Sequence, residues 1–355
     1  MNILFVCSAQ SWGGNEKWTS MAMQALSGKH QVFFACKTAA LLPKFGSYAG
    51  HIVLPFASYA DMATYGKLKH FVKQHHIDLI VSTKKVEYFL CGILSRRSGI
   101  KHLIRLGVTR KMNIPFWHHL NYCTLNDGLI VNARFIEQGL RKYPFFKHHP
   151  IHVVYNGVPR LDEALLPTPR LMPSNKFVIA GSGRMTRQKG YHLLIEAIAQ
   201  LPPILRDCIE LKLIGDGKNK SEFEQMTKSK GLESVVNFTG YLPHPEKELS
   251  GADLYVLLSE REGISNGILE AMTLGIPVLT TNSGGIAEVM VDDENGFFTD
   301  RNVAAVKAKL EYLITNRDIL AQTGINGFHT VKKHFGYSRF CRQTLDLIAT
   351  LYPDR

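Results

Sequence analysis

Two glutamates in the segment SEREGISNGILEAM, residues 259–272, are the side chains best suited to hold a sugar. Glu262 is predicted to lie in the loop after a strand over 254–258, and Glu270 in the first turn of a helix that begins near Gly267. A carboxylate accepts two hydrogen bonds at once, which suits the vicinal hydroxyls of a ribose or a hexose. A lone glutamate would more simply favour the helix dipole or lie in solvent, so the prediction rests on the whole segment.

The backbone between these two glutamates is predicted to bind phosphate. A glycine-containing loop that leads into a helix offers unpaired N–H groups, and the helix dipole favours negative charge at that end. The predicted binding residues are Gly263, Ile264, Ser265 and Asn266.

A second loop, GSGRMTRQKG at 181–190, supplies positive charge. It follows a predicted strand, and its glycines, Gly183 among them, let the backbone approach a ligand closely. Arg184 and Lys189 can converge on a diphosphate if the loop folds back, and Arg187 is the weaker candidate. The alternative is that these cations lie in solvent. The loop lacks the third glycine of a dinucleotide-binding fingerprint, which argues against that kind of site.

Glycine pairs follow two further predicted strands. Gly284-Gly285 precede a predicted helix over 287–291, and the alternative for this pair is an ordinary tight turn. Gly13-Gly14 follow the first strand and can bring amide groups to the phosphate of one substrate, a donor, or to a second substrate, an acceptor. The alternative for the second pair is a simple helix start capped by Asn15.

Short apolar runs alternate with helical patterns in the first half, which is typical of a parallel sheet with helices on both faces. Strands are predicted over 3–7, 31–35, 52–55, 79–82, 102–106, 128–132 and 152–155. Helices are predicted over 16–26, 66–75 and 87–96.

The same alternation returns after a turn at Asn156-Gly157 and a proline-rich linker predicted near 159–175. Strands are predicted over 177–181, 210–214, 235–239, 254–258, 278–281 and 296–298. Helices are predicted over 191–201, 221–230, 267–274, 287–291, 303–315 and, as a last amphipathic helix, 337–351. The predicted domains are 1–160, 161–336 and a C-terminal helix over 337–355. Two such doubly wound domains leave a cleft at the carboxyl ends of their strands, where ligands bind.

The charge of the 355-residue chain is uneven. Residues 1–160 contain 20 Lys+Arg and 6 Asp+Glu, a net charge of +14, whereas the rest of the chain has a net charge of −2. A basic half can attract nucleic acid, an anionic membrane surface or an acidic substrate. No nucleic-acid-binding motif accompanies the charge, so we do not expect nucleic acid as a partner.

The six cysteines form no C-x-x-C pair and no metal-ligand spacing with histidine, so free thiols in a reducing compartment are predicted. The start, MNILFVCSAQ, is predicted to be a buried strand rather than a signal peptide. No run approaches the ~18 apolar residues of a membrane-spanning helix. We therefore expect a cytoplasmic protein, peripheral on the inner face of the cell membrane if its acceptor is lipid-linked.

These motifs, in this order, resemble the retaining glycosyltransferases of family 4, which have the GT-B architecture, and the resemblance covers nearly the whole chain. It implies an α/β fold with two doubly wound Rossmann-like domains that face each other across a cleft. It also implies that the C-terminal helix packs back onto the first domain. The matching residues are Gly13-Gly14, Asn156-Gly157-Val158, Arg184, Lys189, Glu262, Glu270, and Gly284-Gly285 with Glu288.

The resemblance implies transfer, with retention, of a hexose-type sugar from a nucleoside-diphosphate sugar to a glycan or lipid-linked, lipopolysaccharide-type acceptor. Glu270 would hold the donor ribose, and Glu262 the hydroxyls of the transferred sugar. Arg184 and Lys189 can neutralise the leaving diphosphate, so neither a metal nor another cofactor is expected.

Family members often carry a histidine at the end of a strand in the first domain, and this chain has Arg105 at the matching position. His102 is predicted to belong to the strand, and His118 and His119 to the following loop. We therefore assign no catalytic histidine, and Arg105 can instead meet an anionic acceptor.

Two basic segments of the first half are candidates for contact with an anionic membrane surface. One is the predicted helix GKLKHFVKQHH at 66–76, and the other is YPFFKHH at 143–149. An amphipathic helix packed on a sheet would show the same pattern. Three other functions stay open: a sugar-nucleotide 2-epimerase, a non-catalytic partner with the GT-B fold, and a plain sugar-binding module.

Overall fold

The computed structural model describes residues 1–159 and 176–353, which form two compact units. The first unit contains Met1–Gly157 and Ser338–Arg355, and the second contains Val158–Tyr337. The predicted linker near 159–175 lies, except for its first residue, outside the described residues.

The first unit is built on a seven-stranded parallel sheet in the order β3-β2-β1-β4-β5-β6-β7. Most of its central strands are continuous apolar runs, because helices cover both faces of a parallel sheet. The direction in which strands are added reverses between β1 and β4, and such a switch point is where doubly wound sheets bind ligands. The strands are β1 (Asn2–Cys7), β2 (Gln31–Cys36), β3 (Gly50–Val53), β4 (Leu79–Ser82), β5 (Lys101–Leu106), β6 (Gly128–Val131) and β7 (Ile151–Val153).

The helices of this unit place their apolar faces on the sheet. Leu68, Phe71 and Val72 lie in the same buried cluster as strand residues such as Leu4 and Ile80. The apolar face predicted to meet a membrane is therefore part of the core, and that prediction is wrong for this helix. The first five helices are α1 (Gly14–Ser27), α2 (Met62–Gln74), α3 (Lys85–Ser98), α4 (Pro115–His119) and α5 (Arg134–Arg141).

The second unit is built on a six-stranded parallel sheet in the order β10-β9-β8-β11-β12-β13. The strands are β8 (Phe177–Ser182), β9 (Ile209–Ile214), β10 (Val236–Gly240), β11 (Leu254–Leu257), β12 (Val278–Thr280) and β13 (Phe297–Phe298). The helices are α6 (Tyr191–Ala199), α7 (Pro203–Arg206), α8 (Lys220–Ser229), α9 (Glu246–Leu249), α10 (Asn266–Thr273), α11 (Val303–Thr315) and α12 (Asp318–Phe335). The helix predicted over 287–291 is instead a short 3₁₀ helix over Gly284–Glu288.

The last helix, α13 (Tyr337–Leu351), belongs to the first unit from Ser338 onward. Phe340 packs edge-on against Trp18 of α1, with ring centroids 6.1 Å apart. The Tyr352 hydroxyl donates to the Asp78 carbonyl over 2.7 Å. The chain end therefore completes the core of the unit in which the chain begins.

Candidate functional site

The predicted donor loops meet at the carboxyl edge of the second sheet. The loop after β8 and the loop after β11 are adjacent because their strands pair directly in parallel. Lys189 Nζ lies 2.5 Å from Glu262 Oε1, and both side chains are largely buried. Two of the predicted catalytic residues thus form an ion pair.

Backbone contacts fix the loop after β8 against the loop after β11. Gly190 has a φ of +81°, and an added Cβ would lie 2.2 Å from the Leu258 carbonyl oxygen. Glu260 N–H donates to the Gln188 carbonyl over 2.9 Å. Arg301 joins both loops by donating to the carbonyls of Leu258 and Arg187. The position of Lys189 is therefore set by backbone packing rather than by its side chain alone.

The Gly284-Gly285 turn packs directly on the segment that carries Glu262. An added Cβ at Gly284 would lie 1.8 Å from the Glu262 carbonyl oxygen, and Gly284 has a φ of +68°. Gly285 N–H donates to the Gly263 carbonyl over 3.1 Å. This pair is thus more than an ordinary tight turn, since only glycine leaves room for the glutamate backbone beneath it.

The predicted phosphate-binding backbone lies at the start of α10. Gly263, Ile264 and Ser265 are buried, and Asn266 is the first residue of the helix. Glu270 lies in the second turn of α10, because the helix begins one residue earlier than predicted and the first turn contains no acid.

Two buried tyrosines lie beneath these loops. The Tyr255 hydroxyl donates to the Ser182 carbonyl over 3.1 Å. Burial raises the pKa of Tyr255 well above its ordinary value, and the carboxylates of Glu270 and Glu262 raise it further. The negative charges of both predicted sugar-binding glutamates therefore disfavour ionisation of Tyr255. Tyr255 was not singled out from the sequence, and its place in a strand next to a glycine-rich loop was the available signal.

A second hydroxyl lies beside Gly183. Tyr191 is buried, and among the described residues its hydroxyl has no hydrogen-bond partner. An added Cβ at Gly183 would lie 3.2 Å from that hydroxyl, and Gly183 has a φ of +141°. Gly183 was predicted to allow close approach of a ligand. In the structure, the group that lies close to Gly183 is the Tyr191 hydroxyl.

The two arginines of the loop after β8 differ in their partners. Arg187 forms an ion pair with Glu222 of α8. Arg184 is exposed and makes no ion pair with an acid in the described ranges 1–159 and 176–353. Arg184 is thus the more available of the two cations.

The loop after β9, Gly215-Asp216-Gly217, belongs to the same edge but was not singled out from the sequence. An added Cβ at Gly215 would lie 2.0 Å from the Gly183 carbonyl oxygen. Met185 N–H donates to the Asp216 carbonyl over 2.8 Å. A glycine on each side of an aspartate, directly after a strand, was the signal that could have found it.

Gly13 and Gly14 lie at the start of α1, at the carboxyl end of β1 in the first unit. Asn15 does not cap this helix. Its side-chain nitrogen donates to the Thr83 carbonyl over 3.2 Å, and its side-chain oxygen accepts from Arg105. The alternative of a simple Asn15-capped helix start is therefore wrong.

Arg105 is a buried residue of β5. Its Nη1 donates to Asn15 Oδ1 over 2.5 Å, and its guanidinium carbon lies 5.1 Å from the Trp18 ring centroid. Desolvation by burial lowers the pKa of Arg105 to about 10, which still leaves it charged at neutral pH. The position at which the family often has a histidine thus holds a buried cation beside the Gly13-Gly14 turn.

The nearby histidines lie in a strand and on a short helix. His102 is fully buried, with Nδ1 2.8 Å from the Leu125 carbonyl and Nε2 2.7 Å from Ser82 Oγ. Burial lowers the pKa of His102 to about 4. His118 and His119 lie on the short helix α4 rather than in a loop.

Within residues 1–159 and 176–353, no three or more His, Cys, Asp or Glu side chains are grouped to hold a metal ion. In the same described ranges, no helix is long and apolar enough to cross a membrane.

Residues 166–330 match the family described as glycosyl transferases group 1. A lipopolysaccharide core biosynthesis glycosyltransferase, LpsE of Rhizobium meliloti, is 28% identical over 288 residues, 80% of this chain and 79% of that protein. A colanic acid biosynthesis glycosyltransferase of Escherichia coli, WcaL, described as putative, is 31% identical over 40% of this chain and 37% of its own length.

Solved structures agree over the full length. HepE of Anabaena, solved with UDP-glucose, superposes with a TM-score of 0.80 at 20% identity, covering 99% of this chain and 100% of that one. The lipopolysaccharide outer core galactosyltransferase WaaB superposes with a TM-score of 0.70 at 19% identity, with 99% and 100% covered. These likenesses show the fold, and the family match supplies the enzyme class. Residues 166–330 therefore form a glycosyl transferases group 1 domain, and the chain as a whole has two Rossmann-like domains of the GT-B fold.

Proposed function

We propose that this enzyme transfers a hexose-type sugar from a nucleoside-diphosphate sugar to a glycan or lipid-linked acceptor, with retention and without a metal. The observation that carries the proposal is the Lys189–Glu262 ion pair, held between two glycine-packed loops at the carboxyl edge of the second sheet. Complexes of HepE with UDP and with UDP-glucose support this class of donor.

The proposed chemistry follows from charge. Departure of the nucleoside diphosphate places negative charge on the leaving phosphate and positive charge on the sugar ring. Lys189 has three N–H donors and uses one on Glu262, so two are available to a phosphate oxygen. The exposed Arg184 adds a planar fork that matches phosphate geometry. Two cations on one loop supply the charge that a metal would otherwise provide.

Glu262 and Glu270 are proposed to bind different hydroxyl groups of the donor. Glu262 is held by Lys189, so it would present its remaining lone pairs to the transferred sugar. Glu270 in α10 would accept from the ribose. Retention and these two assignments rest on the family resemblance, whereas the shared surroundings of the two carboxylates rest on the structure.

A panel of nucleoside diphosphates and nucleotide sugars, screened by thermal shift, tests the donor site. A bound donor at a hundred times its Kd adds about 2.7 kcal/mol to the free energy of unfolding. We expect Glu270→Ala to weaken nucleotide binding, and Arg184→Ala to slow turnover more than it weakens nucleotide binding. No stabilisation by any nucleoside diphosphate would refute the donor site.

The acceptor is proposed to be reached at an anionic membrane surface, through an apolar patch of the first unit. The aromatic patch consists of Tyr59, Phe89, Ile114, Phe116 and Trp117. The Trp117 ring lies 5.2 Å from Phe89 and 5.7 Å from Tyr59. Phe116 is 81% exposed and Ile114 is 60% exposed.

The charge around the aromatic patch favours an anionic surface. Residues 107–120 contain Arg110, Lys111, His118 and His119 and no acidic residue. Exposed apolar side chains flanked by basic ones are typical of interfacial binding. The patch replaces helix α2 as the proposed contact, since the apolar face of α2 lies in the core. In the segment 143–149, Phe146 cannot contact a membrane, because its side chain is fully buried.

Co-sedimentation with liposomes tests the aromatic patch. We expect binding to vesicles that contain phosphatidylglycerol and little binding to pure phosphatidylcholine. Replacing Ile114 and Phe116 by serine should weaken binding about tenfold or more, because two apolar side chains no longer leave water. Ile204→Ser, at a 77% exposed isoleucine of the second unit, is the matched control. Equal binding of all three proteins would exclude this surface.

A further inference from the structure

Arg105 is a buried cation that makes no direct ion pair within residues 1–159 and 176–353. The side chain is 5% exposed, and within the described residues Nε has no hydrogen-bond partner. The hydrogen bond it does make, from Nη1, goes to the neutral amide of Asn15. A guanidinium has five N–H donors, and one hydrogen bond from them, to Asn15, is made to the part of the chain that the structure describes.

Two buried carboxylates of this region are already engaged, including Glu16, whose charge raises the pKa of Arg105 against the effect of burial. Glu16 Oε1 lies 2.6 Å from Lys84 Nζ. Glu87 accepts from the backbone N–H groups of Ser8, Thr83 and Lys84 over 2.5–2.6 Å. Burial also raises the pKa of Glu87 to about 7, which reduces its negative charge at neutral pH. The cluster therefore retains positive charge at Arg105.

This charge lies next to the switch point of the first sheet, one strand away from β4. Arg105 lies on β5, Thr83 follows β4, and the Gly13-Gly14 turn follows β1. The guanidinium lies directly under Gly107, where an added Cβ would be 2.2 Å from Nη1. Gly107 and Asn15 are both half-buried, so one layer of small groups separates the guanidinium from the surface. Ligands bind at this edge of doubly wound sheets.

We propose that Arg105 recognises an anionic group, a carboxylate or a phosphate monoester, on one of the two sugars that the reaction joins. A buried charge that lacks an ionic partner is unfavourable unless a ligand completes it. The planar fork of arginine matches both anions, which share the geometry of paired oxygens. The inference rests on the proposed function for the statement that the ligand is a sugar substrate.

Titration calorimetry with two pairs of ligands tests this proposal on the full chain. The donor pair is UDP-glucuronic acid and UDP-glucose. The acceptor pair is glucuronic acid and glucose, with glucose 6-phosphate as the phosphate probe. In at least one pair, we expect the anionic member to bind on the order of 10- to 100-fold more tightly, as for a hydrogen bond to a charged group. The pair that shows the preference identifies the source of the anion.

Three variants separate Arg105 from the donor cations. Arg105→Gln should abolish the preference for the anionic member, and Arg105→Lys should reduce it without abolishing it. Arg184→Gln should weaken both nucleotide sugars equally and leave the preference intact. A thermal melt of each variant checks that it folds. If Arg105→Gln does not fold, the result for Arg105→Lys decides the test.

The proposal is overturned if neither pair shows a preference in the unmodified protein, or if the preference survives Arg105→Gln. Failure of the donor site gives a different result. Neither nucleotide sugar would then bind, while the free sugars would still report on Arg105.

Discussion

The Lys189–Glu262 pair shows how one contact prepares two residues for different tasks. The pair is largely buried, so each charge depends on the other, and removing one leaves the other uncompensated. The lysine is held at the end of the loop after β8 and the glutamate at the end of the loop after β11. Their contact links the group proposed to meet phosphate with the group proposed to meet sugar.

Lys189→Met should slow turnover by about 10²–10³, by analogy with the loss of one charge-stabilising donor in other active sites. Steady-state kinetics at saturating donor measure this. Arg187→Met is the matched control, because Arg187 belongs to the same short 3₁₀ helix but is exposed and pairs with Glu222 rather than Glu262. Equal losses in the two variants would show that the loop needs general positive charge rather than Lys189.

His102 should make stability depend on pH. The folded protein holds its imidazole neutral, with a pKa of about 4, whereas the unfolded chain binds a proton near its ordinary value of 6.5. The contribution is fully present above pH 6.5 and is lost as pH falls toward 4, on the order of 3 kcal/mol in all. Urea unfolding at several pH values should show this slope, and His102→Gln should flatten it. The same slope in both proteins would contradict the assignment.

At the scale of elements, glycines replace side chains where loops cross. Gly190 lies on Leu258, Gly215 on Gly183, and Gly284 on Glu262, each at a distance that excludes a Cβ. Loops packed in this way hold their backbone shape without large side chains between them. The carboxyl edge of the second sheet is therefore a preformed frame.

Gly284→Ala tests the frame against a closely matched glycine. Gly284 and Gly231 have φ values of +68° and +66°, but an added Cβ at Gly231 would meet nothing within 4 Å. Gly231→Ala should therefore cost only the backbone strain, about 1–2 kcal/mol. Gly284→Ala should cost more and should also weaken nucleotide binding, because it displaces Glu262. Thermal unfolding measures the loss of stability, and calorimetry measures the loss of nucleotide binding. An equal loss of stability in the two variants would show that the Glu262 backbone moves aside for the added methyl group.

Periodicity predicted most elements because their patterns are strong and uninterrupted. The helices over 303–315 and 337–351 agree with the structure at both ends. Helix α12 was missed because Gly324 and Gly327 resemble helix breakers. Gly324 is needed for packing, since an added Cβ would lie 2.0 Å from the Gly275 carbonyl oxygen, and Gly327 is closely packed, with an added Cβ 3.2 Å from the Asn295 carbonyl oxygen. Such tertiary reasons for a glycine are not visible in a single sequence.

The site was predictable where chemistry shows in residue type. Glu262, Lys189 and the Gly284-Gly285 turn were identified from their order, and the structure brings them together. Tyr255 in β11 and Tyr191 at the start of α6 were missed, because a buried tyrosine is ordinarily part of the core and a neighbouring glycine-rich loop is a weak signal. The engagement of Asn15 with Arg105 was likewise hidden, since it joins residues 90 positions apart.

At the scale of the whole molecule, the chain passes between its units twice, near Gly157 and near Tyr337. The two passages are joined by a hydrogen bond from Val158 N–H to the Phe335 carbonyl over 2.9 Å. Beyond the second passage, α13 buries Phe340, Leu347 and Ile348 in the first unit. The stability of that unit therefore depends on residues far from it in sequence.

Phe340→Ala should lower the free energy of unfolding by about 3–5 kcal/mol, because it opens a cavity between α13 and α1. Phe116→Ala removes the same atoms from an 81% exposed position and should change stability by no more than about 0.5 kcal/mol. Denaturant unfolding followed by tryptophan fluorescence measures both, since Trp18 contacts Phe340. A small cost for Phe340→Ala would mean that α13 is not needed by the first core.

The glycine frame has a consequence for redesign of donor choice. Positions 190, 215 and 284 leave no room for a side chain. We therefore expect a mutagenesis library that varies them to consist largely of misfolded members. Gln188 is exposed in the loop that ends at Gly190, so its side chain can change without moving the backbone that carries it. Selection for a new sugar nucleotide should therefore enrich substitutions at exposed positions such as Gln188 and leave the glycines and Arg184 unchanged.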